Sequence, residues 1–324
     1  MKSATAIAHP NIAFIKYWGD KDSRLRIPVN GSISMNLDGL FTRTTVTFDP
    51  SLKTHEFVLD DRVITGQPGE RAANFIEHVC QMAGISRFAR VTSENNFPTG
   101  SGMASSASAF AALSLAASTA AGLEMDERAL SRLARRGSGS ACRSVPAGFV
   151  EWQVGENDHN SYAASIAPPD HWDVVDCIAV VSQEHKATGS SEGHLLASTS
   201  LLQAVRVSDT TRRLDLCRDA IMKRDFQAFA EIVELDSNLM HAVMMTSQPR
   251  LLYWQPATLA VIQAVVGWRK SGIPVCYTID AGPNVHVITP GEFSTKVIAD
   301  LLQIPGVAKV LSARPGGPVR LLDQ

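Results

Sequence analysis

Apolar and polar residues alternate along residues 42–49 (TRTTVTFD) and 56–64 (EFVLDDRVI), the period of strands with one buried face. The second run is broken by Asp60 and Asp61, which predicts a hairpin turning there. Residues 71–83 (RAANFIEHVCQMA) switch to helical spacing, and Gly84 supplies the stop. Residues 90–94 form a short strand candidate. The alanine-rich run 105–121, closed by Gly122, predicts a helix, as does 126–136, with acids at its start and Arg135 and Arg136 at its end to suit the helix dipole. Residues 148–154 return to strand.

The turn-rich stretch 167–172 (APPDHW) predicts a hinge, dividing the chain into domains of residues 1–170 and 171–324. Beyond it, 176–182 (DCIAVVS) reads as a continuous apolar run, as in a central strand covered on both faces. Residues 195–236 and 256–270 are mainly helical. Residues 275–278 and 285–288 form strands flanking the turn DAGPN, and 307–312 a last strand. Mixed α+β structure is expected in both halves, and no repeat is visible.

Composition narrows this picture without redirecting it. A length of 324 residues suits two domains, and 45% hydrophobic with 19% charged residues is ordinary for a globular core. The net charge of −2 argues against a nucleic-acid partner, so any anion site must be built locally. The five cysteines (80, 142, 177, 217 and 276) are scattered and contain no C-x-x-C, which points away from disulfides and zinc and toward a reducing, cytoplasmic setting. The N-terminus meets Pro10 before any long apolar run and does not read as a signal peptide. Residues 95–123 carry no charge, yet their Ser, Ala, Gly and Thr content predicts a buried helix, with no membrane partner.

Four segments carry candidate chemistry. In PTGSGMASSA (98–107), glycines allow close backbone approach, and the helix that follows directs amides at an anion; Ser105 and Ser106 add hydroxyls for phosphate oxygens or a magnesium ion. It is neither a Walker A loop nor a dinucleotide fingerprint, and alone it fits a simple helix start equally well. GSGSACRS (137–144) combines hydroxyls with Arg143, whose fork suits a carboxylate or phosphate; alone it reads more often as a polar loop. Asp280 in DAGPN is placed at a strand end to meet a hydroxyl, although Asp before Gly and Pro is more commonly a turn residue. In NIAFIKYWG (11–19), Lys16 beside apolar residues calls for an anion unless its stem merely lies along the surface. Gly189-Ser-Ser191-Glu-Gly193 also fits G-x-S-x-G, but that elbow needs a strand directly before it, so a serine hydrolase at Ser191 is a minor alternative.

Taken in order, NIAFIKYWG, PVNGSISMNL (28–37), ENNFPTGSGMASSASAFAAL (94–113), GSGSACRS, GFVEW (148–152), KATGSSEG (186–193) and YTIDAGPN (277–284) resemble the mevalonate diphosphate decarboxylases of the GHMP kinase superfamily across nearly the whole chain. The resemblance implies a two-domain α+β fold: an N-terminal α/β domain with a glycine-rich phosphate loop and a ferredoxin-like α+β C-terminal domain, with the site between them. It implies an ATP- and Mg2+-dependent enzyme, a homodimer, acting on a phosphorylated mevalonate. By the same resemblance Asp280 contacts the 3-hydroxyl, Arg143 holds the C1 carboxylate, and Lys16 lies beside the alcohol. Asn11, Tyr17, Ser138 and Ser140 line the mevalonate pocket, and Arg71 matches a phosphate contact. Gly100, Gly102, Met103, Ser105 and Ser106 fall to the ATP phosphates, with Ser106 near the metal, Ser93 and Asn95 near the base, and Ser190 in a closing loop. Kinases that stop at phosphorylation are the nearest rivals within the superfamily; the DAGPN aspartate argues for decarboxylation.

The chain departs from that family at two positions. Asp20 stands where the diphosphate enzymes usually carry a lysine, and His194 where they usually carry methionine. An anion beside a diphosphate loses attraction and adds repulsion. The expected substrate is therefore mevalonate 5-phosphate, giving isopentenyl phosphate, with the 5-diphosphate kept open by Lys21.

Overall fold

The alternating run at residue 42 becomes a strand in which Thr42, Thr44, Val46 and Phe48 point inward and Arg43 faces solvent. The computed structural model describes residues 2–97, 105–182 and 188–322; Gly100, Gly102 and Met103 lie outside the described residues. The first half contains β1 (Lys2–Ala8), β2 (Asn11–Ile15), β3 (Asp20–Asp22), β4 (Ile27–Pro28), β5 (Ser32–Asn36), β6 (Thr42–Phe48), β7 (Glu56–Leu59), β8 (Arg62–Val63), α1 (Gly66–Ala83), β9 (Ala89–Asn95), α2 (Ser105–Ala121), α3 (Glu127–Gly137), β10 (Phe149–Trp152) and β11 (Ala163–Ala167). The second contains β12 (Val174–Val180), α4 (Ser190–Leu196), α5 (Gln203–Ser208), α6 (Thr210–Lys223), α7 (Phe226–Thr246), α8 (Pro256–Lys270), β13 (Cys276–Thr278), β14 (Val285–Pro290), α9 (Ser294–Leu301), β15 (Lys309–Ala313) and β16 (Arg320–Leu322).

Among the described residues three larger sheets have the orders β16-β1-β6-β9-β7-β8, β11-β10-β5-β2 and β13-β14-β12-β15, and β3 pairs with β4 in a two-stranded fourth. Helices α1, α2 and α3 cover the first sheet around Val46, Phe75, Phe110, Ala116 and Leu133. Small side chains let α2 lie close against β1 and β6, and most of its residues are buried, which is why the stretch needs no charge. Among the described residues no helix is long and apolar enough to cross a membrane. A second core, with Phe14, Met35, Phe149, Ile178 and Phe229, joins the second sheet, α6 and α7 to the inner face of the third. A third packs the outer face of that sheet on α8 and α9.

Several elements differ from their expected form for local reasons. The hairpin turns at Asp60 and Asp61, both in the left-handed region, but β7 also pairs in parallel with β9. Helix α1 begins five residues before the expected start, because Pro68 in its first turn lacks only an N–H that would be unbonded anyway. β12 is buried throughout, as a strand between two cores must be, yet it holds Asp176 in its middle, 2.6 Å from His286 Nδ1. The expected helical stretch 195–236 is four helices, the last running on to Thr246. The chain leaves the first half through residues 168–173 and returns at its end: Thr5, Ala6 and Ile7 pair with Leu322, Leu321 and Arg320.

Candidate active site

The exit of β2, the polar face of α1, the start of α2, the turn after α3, the start of α4 and the loop after β13 converge on a cleft of about 1120 Å³. All five residues of β2 are buried, so the chain leaving it is still inside the protein when it reaches Lys16. The Lys16 N–H donates to Asp236 Oδ2 at 2.6 Å. Its carbonyl accepts from Arg206 at 2.6 Å and from Asn30 at 2.8 Å. With both backbone groups held by buried polar side chains, Nζ is aimed at Asp280 Oδ1, 2.6 Å away. The Lys16 side chain is 1% exposed, whereas that of Asp280 is 24% exposed, and both border the cleft.

Burial pushes the Lys16 ammonium down from the usual lysine range, against the pull of Asp280. Burial alone would push the Asp280 carboxyl up, but the pull of Lys16 and its hydrogen bond, with that of His286 and Arg143, outweighs it and holds the group below the usual carboxylate range. Asp280 is thus an ionised carboxylate open to the cleft, with its counter-charge behind it.

Arg143 is buried on the 3-10 turn Gly139–Ser144. Nε and Nη2 donate to Asn11 Oδ1 at 3.2 and 3.1 Å, and Nη1 donates to Ser32 Oγ at 2.8 Å. All of these acceptors are neutral, and burial pushes the guanidinium down from its usual range. A buried cation with neutral partners and one edge on a cleft is built to receive an anion. Asn11 does not border the cleft. It orients Arg143, and is itself fixed by donating to Ser144 Oγ at 2.7 Å and the Ser140 carbonyl at 3.1 Å. Ser138 and Ser140 do border the cleft, as do Ser105 and Ser106 at the start of α2, and the Ser106 and Ser138 hydroxyls lie 3.1 Å apart. At Gly139 a Cβ would meet the Tyr17 ring at 2.7 Å, so only glycine lets the turn approach.

The Tyr17 hydroxyl donates to Asp20 Oδ1, and its ring stacks on His194, with centroids 4.1 Å apart. His194 Nδ1 accepts the Gly19 N–H at 3.0 Å, pinning α4 to the segment that carries Lys16. Burial raises the Asp20 carboxyl, against the hydrogen bond from Tyr17. Arg71 donates to the Gly137 carbonyl and lies over the Phe110 ring at 4.7 Å.

Ser190 borders the cleft at the first position of α4. Ser191 follows in the same helical turn, ten residues or more after β12 ends, so the strand–elbow geometry of a hydrolase nucleophile is absent there. Ser93 and Asn95 lie on β9 and do not border the cleft: Ser93 Oγ is 2.8 Å from Thr44 Oγ1, and Asn95 accepts from Thr42 at 2.6 Å. The sequence reading missed Arg24, Arg26, Gln67, Asn74, His78 and Arg136, all of which border the cleft. One signal was available for part of this set. Gln67, Arg71, Asn74 and His78 recur at helical spacing, a polar stripe on α1 opposite its apolar face.

The chain matches the family model described as the diphosphomevalonate decarboxylase-like N-terminal domain over residues 8–163. It matches the mevalonate 5-diphosphate decarboxylase C-terminal domain over residues 177–313. The diphosphomevalonate decarboxylase of Ganoderma lucidum is 38% identical over 320 residues, covering 91% of this chain and 80% of that protein. The phosphomevalonate decarboxylase of Haloferax volcanii is 34% identical over 323 residues, covering 99% and 98%. A structure of the mevalonate diphosphate decarboxylase from Enterococcus faecalis, described by its mevalonate diphosphate-mediated ATP binding mechanism, superposes with a TM-score of 0.91 at 34% identity over 99% of each chain. Another, described as a complex with MVAPP, AMPPCP and magnesium, does so with a TM-score of 0.93, again at 34% identity and 99% coverage of each.

Proposed function

Because the chain belongs to the diphosphomevalonate decarboxylase family, we propose that it uses ATP to phosphorylate the 3-hydroxyl of mevalonate 5-phosphate, releasing carbon dioxide to form isopentenyl phosphate. Decarboxylation of a phosphorylated mevalonate is the reaction of the family; the donor, the substrate's phosphate count and the residue roles are our reading.

Asp280 is the one ionised carboxylate that both pairs with Lys16 and opens to the cleft, so it is the group to meet the alcohol. It accepts the hydroxyl proton or its hydrogen bond as the phosphoryl group arrives. Phosphoryl transfer is loose, so positioning and charge neutralisation matter more than base strength, and a carboxylate of low pKa suffices. Lys16 keeps Asp280 ionised and fixed. Arg143 takes the C1 carboxylate with its preset fork, and Asn11 keeps that fork in place. When phosphate departs from C3 and the C1–C2 bond releases carbon dioxide, positive charge grows at C3, and the Asp280 carboxylate beside it is already oriented. The start of α2 fits phosphate: Ser105 and Ser106 face the cleft, and its first turn holds no acid. ATP would supply the phosphoryl group, and Mg2+, for which Ser106 is our candidate ligand, would neutralise its oxygens when bound. The relative in complex with MVAPP, AMPPCP and magnesium, and the one described by its ATP binding mechanism, support these roles by analogy.

The observation that carries the monophosphate reading is Asp20. Its side chain is 3% exposed and borders the cleft, and a carboxylate there works against the additional charge of a diphosphate. The 5-diphosphate is the second reading, favoured by the names of most relatives. The test is product analysis with purified protein, Mg-ATP and each of mevalonate, its 5-phosphate and its 5-diphosphate. We expect carbon dioxide, ADP and isopentenyl phosphate, with the highest kcat/KM on the 5-phosphate. Higher kcat/KM on the 5-diphosphate overturns the substrate, and ADP without carbon dioxide overturns the reaction.

A further inference from the structure

Beside Arg24, Glu70, Arg136 and Glu192, two clusters of charged groups border the cleft. Lys16, Arg143 and Asp280 act on one another at the end already described. Arg26, Arg71, Asp20 and Tyr17 form the other. In this second set Arg71 is buried, and burial, reinforced by the neighbouring charge of Arg26, draws it down to about 10. Its contacts are a carbonyl and an aromatic face, and among the described residues no carboxylate lies within ion-pair distance of it.

Arg26 faces the same cleft from the hairpin of β3 and β4, with φ of 54°, a conformation a non-glycine residue adopts only when its surroundings hold it there. Its Nη1 is 4.0 Å from Asp20 Oδ2, the outer edge of ion-pair distance. That oxygen is buried and has no hydrogen-bond donor, while Oδ1 receives the Tyr17 hydroxyl. The Arg26 and Arg71 guanidiniums therefore border the same cleft, with the Asp20 carboxylate beside Arg26. Arg71 has no carboxylate within ion-pair distance among the described residues, and Arg26 meets Asp20 only at 4.0 Å, so both guanidiniums are open to a stronger anionic partner.

Resting on the reading that the substrate is a phosphorylated mevalonate, we infer that Arg26 is a specificity-determining residue which, with Arg71, grips a single terminal phosphate, and that Asp20 is its positioning residue. Asp20 draws the Arg26 fork inward and repels the additional charge of a second phosphate. A monophosphate dianion meets two guanidiniums from the open side. A diphosphate placed on them carries its outer phosphate toward the Asp20 carboxylate or leaves one arginine unmet.

The experiment is steady-state kinetics of the full chain with mevalonate 5-phosphate, its 5-diphosphate and ATP varied in turn. Arg26→Gln should raise KM for the 5-phosphate about tenfold or more, with kcat and the KM for ATP within about threefold of the wild type. Arg26→Lys should recover part of the loss as a point charge. An unchanged KM for the 5-phosphate in Arg26→Gln overturns the inference. Asp20→Asn should raise the ratio of kcat/KM on the 5-diphosphate to that on the 5-phosphate. In the Arg26→Gln background, its effect on the 5-phosphate KM should vanish, because Asp20 acts through Arg26. Additive effects overturn the positioning role. Thermal melting of each variant separates these outcomes from misfolding. The wild-type arm keeps the two claims apart. A wild type preferring the 5-diphosphate sinks the substrate reading, whereas a wild type preferring the 5-phosphate beside an indifferent Arg26→Gln sinks this inference alone.

Discussion

At the scale of single residues the site is a problem in charge placement. Lys16 and Asp280 are each costly to bury alone, and each is tolerated because the other is 2.6 Å away. The pair is asymmetric: the lysine is sealed in and the carboxylate is open to the cleft. Replacing Lys16 with Met leaves the burial that raises Asp280 and removes the foremost cation that lowers it. The folded-state pKa of Asp280 must then rise. If the ionised form is the active one, the acid limb of the pH profile of kcat/KM moves to higher pH, and activity lost near neutrality returns in alkali. A profile that falls in height without moving would show that Lys16 does not act through Asp280.

At the scale of elements, the backbone of Lys16 is fixed by helices far along the chain. Asp236 on α7 accepts its N–H and pairs with Arg213 of α6, while Arg206 of α5 donates to its carbonyl. Burial draws Arg206 down to about 10, so this cluster depends on its one fully buried carboxylate. Asp236→Asn should therefore cost roughly 3–5 kcal/mol of stability by leaving buried guanidinium charge uncompensated. It should also lower kcat at temperatures where the variant is still folded. Denaturant melts beside kinetics at low temperature check both, and full kcat in the folded variant would limit Asp236 to stability.

This is also where legibility in the sequence ended. The helices 105–121 and 256–270 were legible to the residue because local composition agreed, with Gly122 as the stop of the first and Pro256 opening the second. Strands β1, β2, β5 and β11 were not, because their residues are chosen by what covers them. β2 and β5 are buried on every residue and so show no alternation. Lys16, Arg143 and Asp280 were legible as candidates through their motifs, and the structure brings the three to one cleft. Arg26 was not, since nothing in residues 20–28 announces a left-handed arginine beside a buried carboxylate. The pair of Asp176 and His286 hid inside two apolar strands, where only the β12–β14 register makes them neighbours.

At the scale of the molecule, the cleft is built from both halves, and the halves are tied by more than the single passage at residues 168–173. β16 adds to the edge of the first sheet, Pro315 bridges to Leu37, and Val319 enters the first core. Removing residues 314–322 should lower the melting temperature and raise amide exchange in β1, while β12 and β14 keep their protection. Unchanged exchange in β1 would mean that its pairing with β6 alone secures it.

The pairing of β1 with β16 has a consequence for how the protein comes into being. Ribosomes deliver the chain from its first residue, at about 5–20 residues per second. β1 and its outer partner β16 lie about 310 residues apart in the chain, so on that timescale their synthesis is separated by an interval on the order of tens of seconds. Throughout it, β6 can occupy one side of β1 while the other side offers bare N–H and C=O groups. Lys2 at the start of that edge, a charge of the kind that discourages stray strands, guards a seam that closes only after Arg320–Leu322 have been made.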